Sequence, residues 1–444
     1  MMSAESPRLI NFGAGPSALP DSVLEEATKG LFNFSNTGVG IAEISHRSPE
    51  FTAFLSDVTA LVRSQLSVPP THSILFTQGG GTAQFSAVIL NLLARHRLLF
   101  PDLKDRSLDY VLTGSWSKSA YEEGCRLSDN GGSYIVNVAT DGRNYSEDKK
   151  SFDSIPPHES YKFSENPALI YYCENETIDG VQFRHDVESV DKDGKSVQGT
   201  FPFHLLPQDR LVPLVGDYSS SFMSRPIPRL ADHAVIFAGA QKNIGPAGLT
   251  ILIVRNDCIV DVDAAVTFHA QPVPRMMAYK TLADSKSVYN TPPVLSIYIS
   301  GLVLKRSSEL GGVEYYEALN RRKAQKVYGA VRDGEEKGVF KGRVQPESAS
   351  WMNVVFTVLD KNKEKAFLEG AEVRGMTGIK GHRWVLLYCH KPSFLLTCVA
   401  IVLCFFASIP CQSSVGGKRF ISSGHLSSDG WLMYMWSRYS CVLI

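Results

Sequence analysis

Several features that would mark a specialised chain are missing from these 444 residues. Charge of one sign is missing: Lys+Arg 45 against Asp+Glu 45 gives a formal net charge of +0, so no nucleic-acid footprint is expected. No Cys-x-x-Cys pair occurs, which removes the common zinc signature, and no metal site is expected. Cysteine is sparse over most of the chain. Cys125, Cys173 and Cys258 are scattered, and the other five of the 8 lie after residue 384. That distribution argues against a disulfide framework and for a reducing, cytoplasmic setting. The stretch MMSAESPRLINFGAGPS has neither the apolar core of a signal peptide nor an Arg-rich transit pattern. Internal repeats are absent as well.

What is present is alternation. HSILFTQGGGT reads as a strand, a glycine turn and a helix running through AQFSAVILNLLARH. LDYVLTGSWS is a strand leading into the helix KSAYEEGCRL. GSYIVNVAT, ALIYYCENET, LVPLVGDYSS, HAVIFAGAQK and LTILIVR are further strand candidates, rich in β-branched and aromatic residues and ending in turn chemistry. Strands alternating with helices predict an α/β fold with a mostly parallel sheet covered by helices. The polar stretches 141–166 and 184–208 read as surface loops. From about residue 285 the pattern changes: TPPVLSIYISGLVLKRSSELGG predicts a long helix entering a second domain, with WMNVVFTVL as one of its strands.

The stretch FAGAQKNIGPAG sets one lysine, Lys242, among small and apolar residues at a predicted strand end. Such a lysine either escapes to solvent or has its charge penalised by burial, which frees the amine to attack an aldehyde. Ala238, Gly239, Ala240 and Gly245 leave room for a flat ring, and the aldehyde cofactor that fits is pyridoxal phosphate. That cofactor makes further demands. A carboxylate must keep its pyridine nitrogen protonated, and LVGDYSSSF offers Asp217. Backbone N–H groups at a helix start must hold its phosphate, and TQGGGTAQF offers Gly81 and Thr82. An aromatic plate must cover the ring, and TGSWSKSAYEEG offers Trp116, although a core tryptophan is the commoner role. A donor must meet the phenolic oxygen, and CENETIDG offers Thr177. Each feature alone has a plain structural reading as a turn, cap or core residue; together they describe one site.

These pieces resemble the phosphoserine aminotransferase family, fold-type I enzymes of the class-V pyridoxal-phosphate aminotransferases. The resemblance runs over about residues 11–383 and is carried by SHRS, QGGGTAQFSA, TGSWS, ENETIDGV, DYSSSFMSRP, FAGAQKN, YNTPP and GMTGIKGHR. It implies a large domain, 21–284, with a mostly parallel seven-stranded sheet, and a smaller α+β domain, 285–383, joined by the N-terminal segment 1–20. It implies Lys242 as the Schiff-base lysine, Asp217 as the pyridine partner and Trp116 as the stacking plate. Gly81, Thr82, Thr177 and Gln241 would hold the cofactor. Asn290 and Thr291 would reach the cofactor phosphate of a second subunit, which makes a homodimer.

The implied reaction is a ping-pong exchange. Glutamate and 3-phosphohydroxypyruvate would give 2-oxoglutarate and O-phosphoserine, a route to serine. The related use of a phosphorylated hydroxythreonine stays open. So do a different small-molecule enzyme with the same cofactor and an inactive or membrane-tethered relative. Substrates carrying a phosphate and carboxylates need cationic donors. His46 and Arg47 form one candidate pair and His382 and Arg383 another; the resemblance adds Arg419 in SVGGKR. Either pair could instead be a solvated charge cluster. The chain departs from the family after KGHR. Residues 384–413 form an apolar, cysteine-rich insert, read as a retained intron or gene-model error, and 414–444 read as a frame-shifted tail. The core FLLTCVAIVLCFFASI falls just short of a comfortable membrane span, and an anchor inside a substrate loop is poorly placed, so membrane association is not expected.

Overall fold

A computed structural model of the chain describes residues 8–129, 134–186, 188 and 190–379. All of them belong to one compact unit. The insert, the tail, His382, Arg383 and Arg419 lie outside the described residues.

Eleven strands are described: β1 (Ile10–Asn11), β2 (His72–Thr77), β3 (Ser107–Leu112), β4 (Ile135–Asp141), β5 (Pro167–Cys173), β6 (Leu214–Asp217), β7 (His233–Gly239), β8 (Thr250–Arg255), β9 (Phe340–Gly342), β10 (Phe356–Val358) and β11 (Met376–Thr377). Seven of them form the central sheet in the order β2-β8-β7-β6-β5-β3-β4. Pairings from β7 through β4 are all parallel, while β8 runs antiparallel to both β7 and β2. This is the mostly parallel sheet expected of the alternating sequence. Every residue of β5, β7 and β8 is buried, as strands covered on both faces require. That is why ALIYYC, HAVIFAG and TILIVR show no polar alternation. The sheet edge β4 instead exposes Ile135 and Val138.

The principal helices are α1 (Asp21–Phe32), α2 (Pro49–Gln65), α3 (Gly80–Leu99), α4 (Ser115–Asp129), α5 (Val262–Val266), α6 (Tyr279–Asp284), α7 (Val294–Glu309), α8 (Gly312–Glu336) and α9 (Lys361–Val373). Helix α2 starts where Ser48 accepts from the Phe51 amide at 3.1 Å and Pro49 occupies the first turn. It packs on α7 through Phe54, whose ring lies 5.5 Å from Tyr298, with Phe34 edge-on to both. Gly301 allows this approach, because a Cβ there would sit 2.5 Å from the Phe54 ring. Two short sheets lie outside the central one: β9 pairs antiparallel with β10, and β1 pairs parallel with β11 through Ile10 and Met376.

The stretches 141–166 and 184–208 are irregular, as their polarity predicts, yet they are more than surface loops. Phe152, Ile155, Tyr161, Phe201, Phe203 and Leu206 are buried in the main core. Apolar residues spaced through polar text anchor these segments, and no strand or helix period announces them.

Candidate active site

The C-terminal ends of β2, β3, β5, β6 and β7 open on the same edge of the sheet, where parallel α/β sheets bind ligands. Strand β8 runs the other way and so brings its first residue to this edge. Thr250 Oγ1 accepts from the Gly80 amide at 2.8 Å and fixes the glycine loop after β2.

Lys242 lies in the turn after β7, largely buried. Burial pulls its amine below the ordinary lysine value, opposed chiefly by the negative charge of Asp217. The N-terminal strap crosses directly over it. Ser17 N–H donates to Gln241 O at 3.0 Å, and the Ser17 hydroxyl donates to the Lys242 carbonyl. Gly15, with φ 147°, faces the lysine stem so closely that a Cβ would be 2.5 Å from Cδ and 3.0 Å from Nζ. Gln241 folds back over Gly239, where a Cβ would meet its Oε1 at 2.6 Å.

Asp217 ends β6, the strand beside β7, and is buried. Burial raises its carboxyl; hydrogen bonds from Ser219 and Tyr171 and the charge of Lys242 pull the other way. Its Oδ1 accepts from the Ser219 amide at 2.9 Å and its Oδ2 from the Tyr171 hydroxyl at 3.3 Å. Gly81 closes the other side, its Cβ position 3.7 Å from Asp217 Oδ2 and 3.5 Å from Ser219 Oγ. Helix α3 begins here after Gly79, which takes φ 93°. The amides of Gly81 and Thr82 fall in its first turn, where no carbonyl one turn back exists to receive them.

Trp116 lies in the first turn of α4, partly buried against the main core. Thr177 follows β5 and is 6% exposed. Its neighbours are all engaged: Glu174 pairs with Arg225, Asn175 donates to Ser220 Oγ at 2.7 Å, and Glu176 and Asp179 hold backbone amides of α4. An acid beside a largely buried lysine and a helix start with open amides fit the aldehyde, pyridine and phosphate of pyridoxal phosphate.

The remaining candidates are dispersed. His46 and Arg47 occupy the turn before α2; Arg47 is exposed, whereas His46 Nε2 is enclosed without a partner. Thr291 is exposed and its carbonyl accepts from Gln78 at 3.4 Å, so the 290–291 segment borders the glycine loop of its own chain. Among the described residues no group of three or more His, Cys, Asp or Glu is arranged to hold a metal, and no helix is long and apolar enough to cross a membrane. Gly15, Ser17, Tyr171, Ser219 and Glu176 escaped the reading of the sequence. Only Ser219 and Glu176 had a local signal, sitting two residues after Asp217 and one before Thr177.

The model of the class-V aminotransferases matches residues 9–395. A phosphoserine aminotransferase of Ectopseudomonas mendocina is 38% identical over 380 residues, covering 86% of this chain and 91% of the relative. A probable phosphoserine aminotransferase of Caenorhabditis elegans is 38% identical over 383 residues, covering 85% and 90%. The solved phosphoserine aminotransferase of Bacillus circulans subsp. alkalophilus superposes with a TM-score of 0.76 at 31% identity, over 91% of this chain and 99% of that one. The pyridoxal-phosphate-bound enzyme of Trichomonas vaginalis gives 0.74 at 30% identity, over 89% and 100%.

Proposed function

Because the chain belongs to the class-V aminotransferases, we propose that it is a phosphoserine aminotransferase. It exchanges the amino group between glutamate and 3-phosphohydroxypyruvate, with pyridoxal phosphate as cofactor. The observation that carries this reading is the largely buried Lys242 beside the buried carboxylate of Asp217.

When bound, pyridoxal phosphate supplies an aldehyde for amine capture and a ring that takes up electron density from the substrate Cα. Lys242 would hold the cofactor through its amine, and its Nζ would take the proton from the substrate Cα. Asp217 would keep the pyridine nitrogen protonated. Burial raises this carboxyl, and a cationic ring held against it would offset that rise. Gly81 and Thr82 meet the phosphate, Thr177 and Gln241 donate to the cofactor, and Trp116 covers the ring. His46, Arg47, His382, Arg383 and Arg419 take the substrate anions. Asn290 and Thr291 complete the phosphate cup of a second copy, so the working form is a homodimer. A large domain (21–284) and a smaller one (285–383) close on the substrate.

Cys173 is buried, with its thiol raised well above its ordinary value by that burial, which disfavours a sulfur-transfer enzyme on this scaffold. The free thiols of Cys125, Cys173 and Cys258 support a cytoplasmic setting. The test is substrate choice by the full chain and by Lys242→Ala. The parent should release glutamate from 2-oxoglutarate with phosphoserine and not with serine, and the variant should do neither. Equal rates on serine and phosphoserine would overturn the phosphate reading.

A further inference from the structure

Helix α4 has an unusual start. The residue before it is Gly114, which has no side chain to cap the free amides of the first turn. The cap comes from a different segment, the loop after β5. Glu176 Oε2 accepts from the Trp116 amide at 2.8 Å, and Glu176 Oε1 accepts from the Ser117 amide at 2.9 Å. Asp179 Oδ2 accepts from the Ser115 amide at 2.6 Å. Two carboxylates of one loop thereby take three successive amides of the helix start.

The fit is close. A Cβ on Gly114 would be 2.3 Å from Glu176 Cγ and 2.4 Å from its Cδ, so the glycine is what lets the carboxylate reach in. The loop is closed on itself, Glu176 N–H donating to Val181 O and Gly180 N–H to Glu176 O, both at 2.8 Å. From the other side, Ser117 Oγ accepts from the Thr113 and Gly114 amides at 3.0 and 3.1 Å. Glu176 is completely buried, so no water competes for its oxygens. On one side of this bracket is Trp116, whose own amide it holds. On the other is Thr177, the next residue in the chain.

We propose that Glu176 is a positioning residue of the active site: its carboxylate ties the helix start bearing Trp116 to the loop bearing Thr177, and so fixes the ring plate relative to the hydroxyl that meets the cofactor. This rests on the reading of Trp116 as that plate. Glu176 touches neither substrate nor cofactor and acts through Trp116. Glu176→Gln keeps the volume but leaves one oxygen for two amides, and its NH2 then faces an N–H.

The test is a double-mutant cycle on cofactor affinity, measured by titrating pyridoxal phosphate into the apo form of the full chain and following visible circular dichroism. Trp116→Ala should weaken binding and flatten the dichroic band. Burial and the neighbouring Asp179 charge raise the Glu176 carboxyl to about 8, so in titrations above that pH Glu176→Gln should raise the Kd by about tenfold, as expected for a lost charge-assisted hydrogen bond, and by much less when Trp116 is already Ala. The same factor in both backgrounds, or an unchanged Kd and band in Glu176→Gln, overturns the inference while leaving Trp116 its role. Unchanged binding in Trp116→Ala overturns the plate and this inference together. Should Glu176→Gln not fold, Asp179→Ala, which frees only the Ser115 amide, carries the same cycle: a factor that shrinks in the Trp116→Ala background supports the bracket, and equal factors refute it.

Discussion

Gly15→Ala should disable the site by crowding Lys242, with every residue assigned chemistry left unchanged. The strap carrying Gly15 is pinned on both sides. Phe12 N–H donates to Thr377 O at 2.8 Å, and Ser17 N–H donates to Gln241 O at 3.0 Å. An alanine Cβ would meet Lys242 Cδ at 2.5 Å and Cε at 2.9 Å, where carbon pairs rest at about 3.5–4.0 Å. An overlap of about 1 Å must be relieved, and the free end of the lysine yields more readily than a strap held by hydrogen bonds. The φ of 147° adds backbone strain, together about 1–3 kcal/mol of stability. Displacing a reacting amine by about 1 Å costs on the order of 100-fold in rate. The assay follows colour formation when pyridoxal phosphate is added to the apo protein, then turnover with phosphoserine and 2-oxoglutarate. Both should slow by about that factor, while phosphoserine KM changes little. Parent-like rates in Gly15→Ala would show that Lys242 has space that this geometry denies it.

Three further outcomes follow from the same geometry. Lys242 is held below the ordinary value of 10.5 by burial and partly restored by Asp217; the rate of cofactor capture by the apo protein should therefore reach its half-point below that pH, and Asp217→Asn should move it lower still. A rise in Asp217→Asn contradicts the electrostatics. A depressed lysine also stabilises the apo fold above its ordinary pKa, and that contribution is lost as pH falls through the folded value. His233 is fully buried, donor or acceptor to the Tyr172 hydroxyl at 2.7 Å, and burial pushes it down to about 4. Its contribution is present above pH 6.5 and is lost as pH falls through about 4, at most roughly 3 kcal/mol. Acid unfolding of His233→Gln should be less steep by one proton, and an unchanged slope refutes the assignment. Finally, mixing Lys242→Ala with an Asn290→Ala/Thr291→Ala variant after subunit exchange should restore partial activity, because one site of a mixed dimer then carries every group; no rescue after proven exchange assigns the pair to its own subunit or to no site.

The parts of this molecule legible in the sequence share a physical property: each is written in consecutive residues. HAVIFAG and TILIVR announce doubly covered strands because every side chain must be apolar, and GGGT announces a helix start because the turn needs glycine at φ 93°. Lys242 stands out because a charge among small residues conflicts with its surroundings. What stayed hidden depends on distant segments meeting. Gly15 is separated from Lys242 by six strands of the central sheet, and its meaning lies in the lysine stem it faces rather than in its neighbours. Tyr171 reads as one more aromatic of a core strand until β6 is laid beside β5 and brings Asp217 Oδ2 to its hydroxyl. Glu176 is the sharpest case. A cap is sought at the residue before the helix, where this chain has Gly114, and the carboxylates that satisfy α4 come from 60 or more residues later. Local pattern thus marked the groups proposed to bear the chemistry, while the groups that hold them in place became visible only through the order of strands in the sheet.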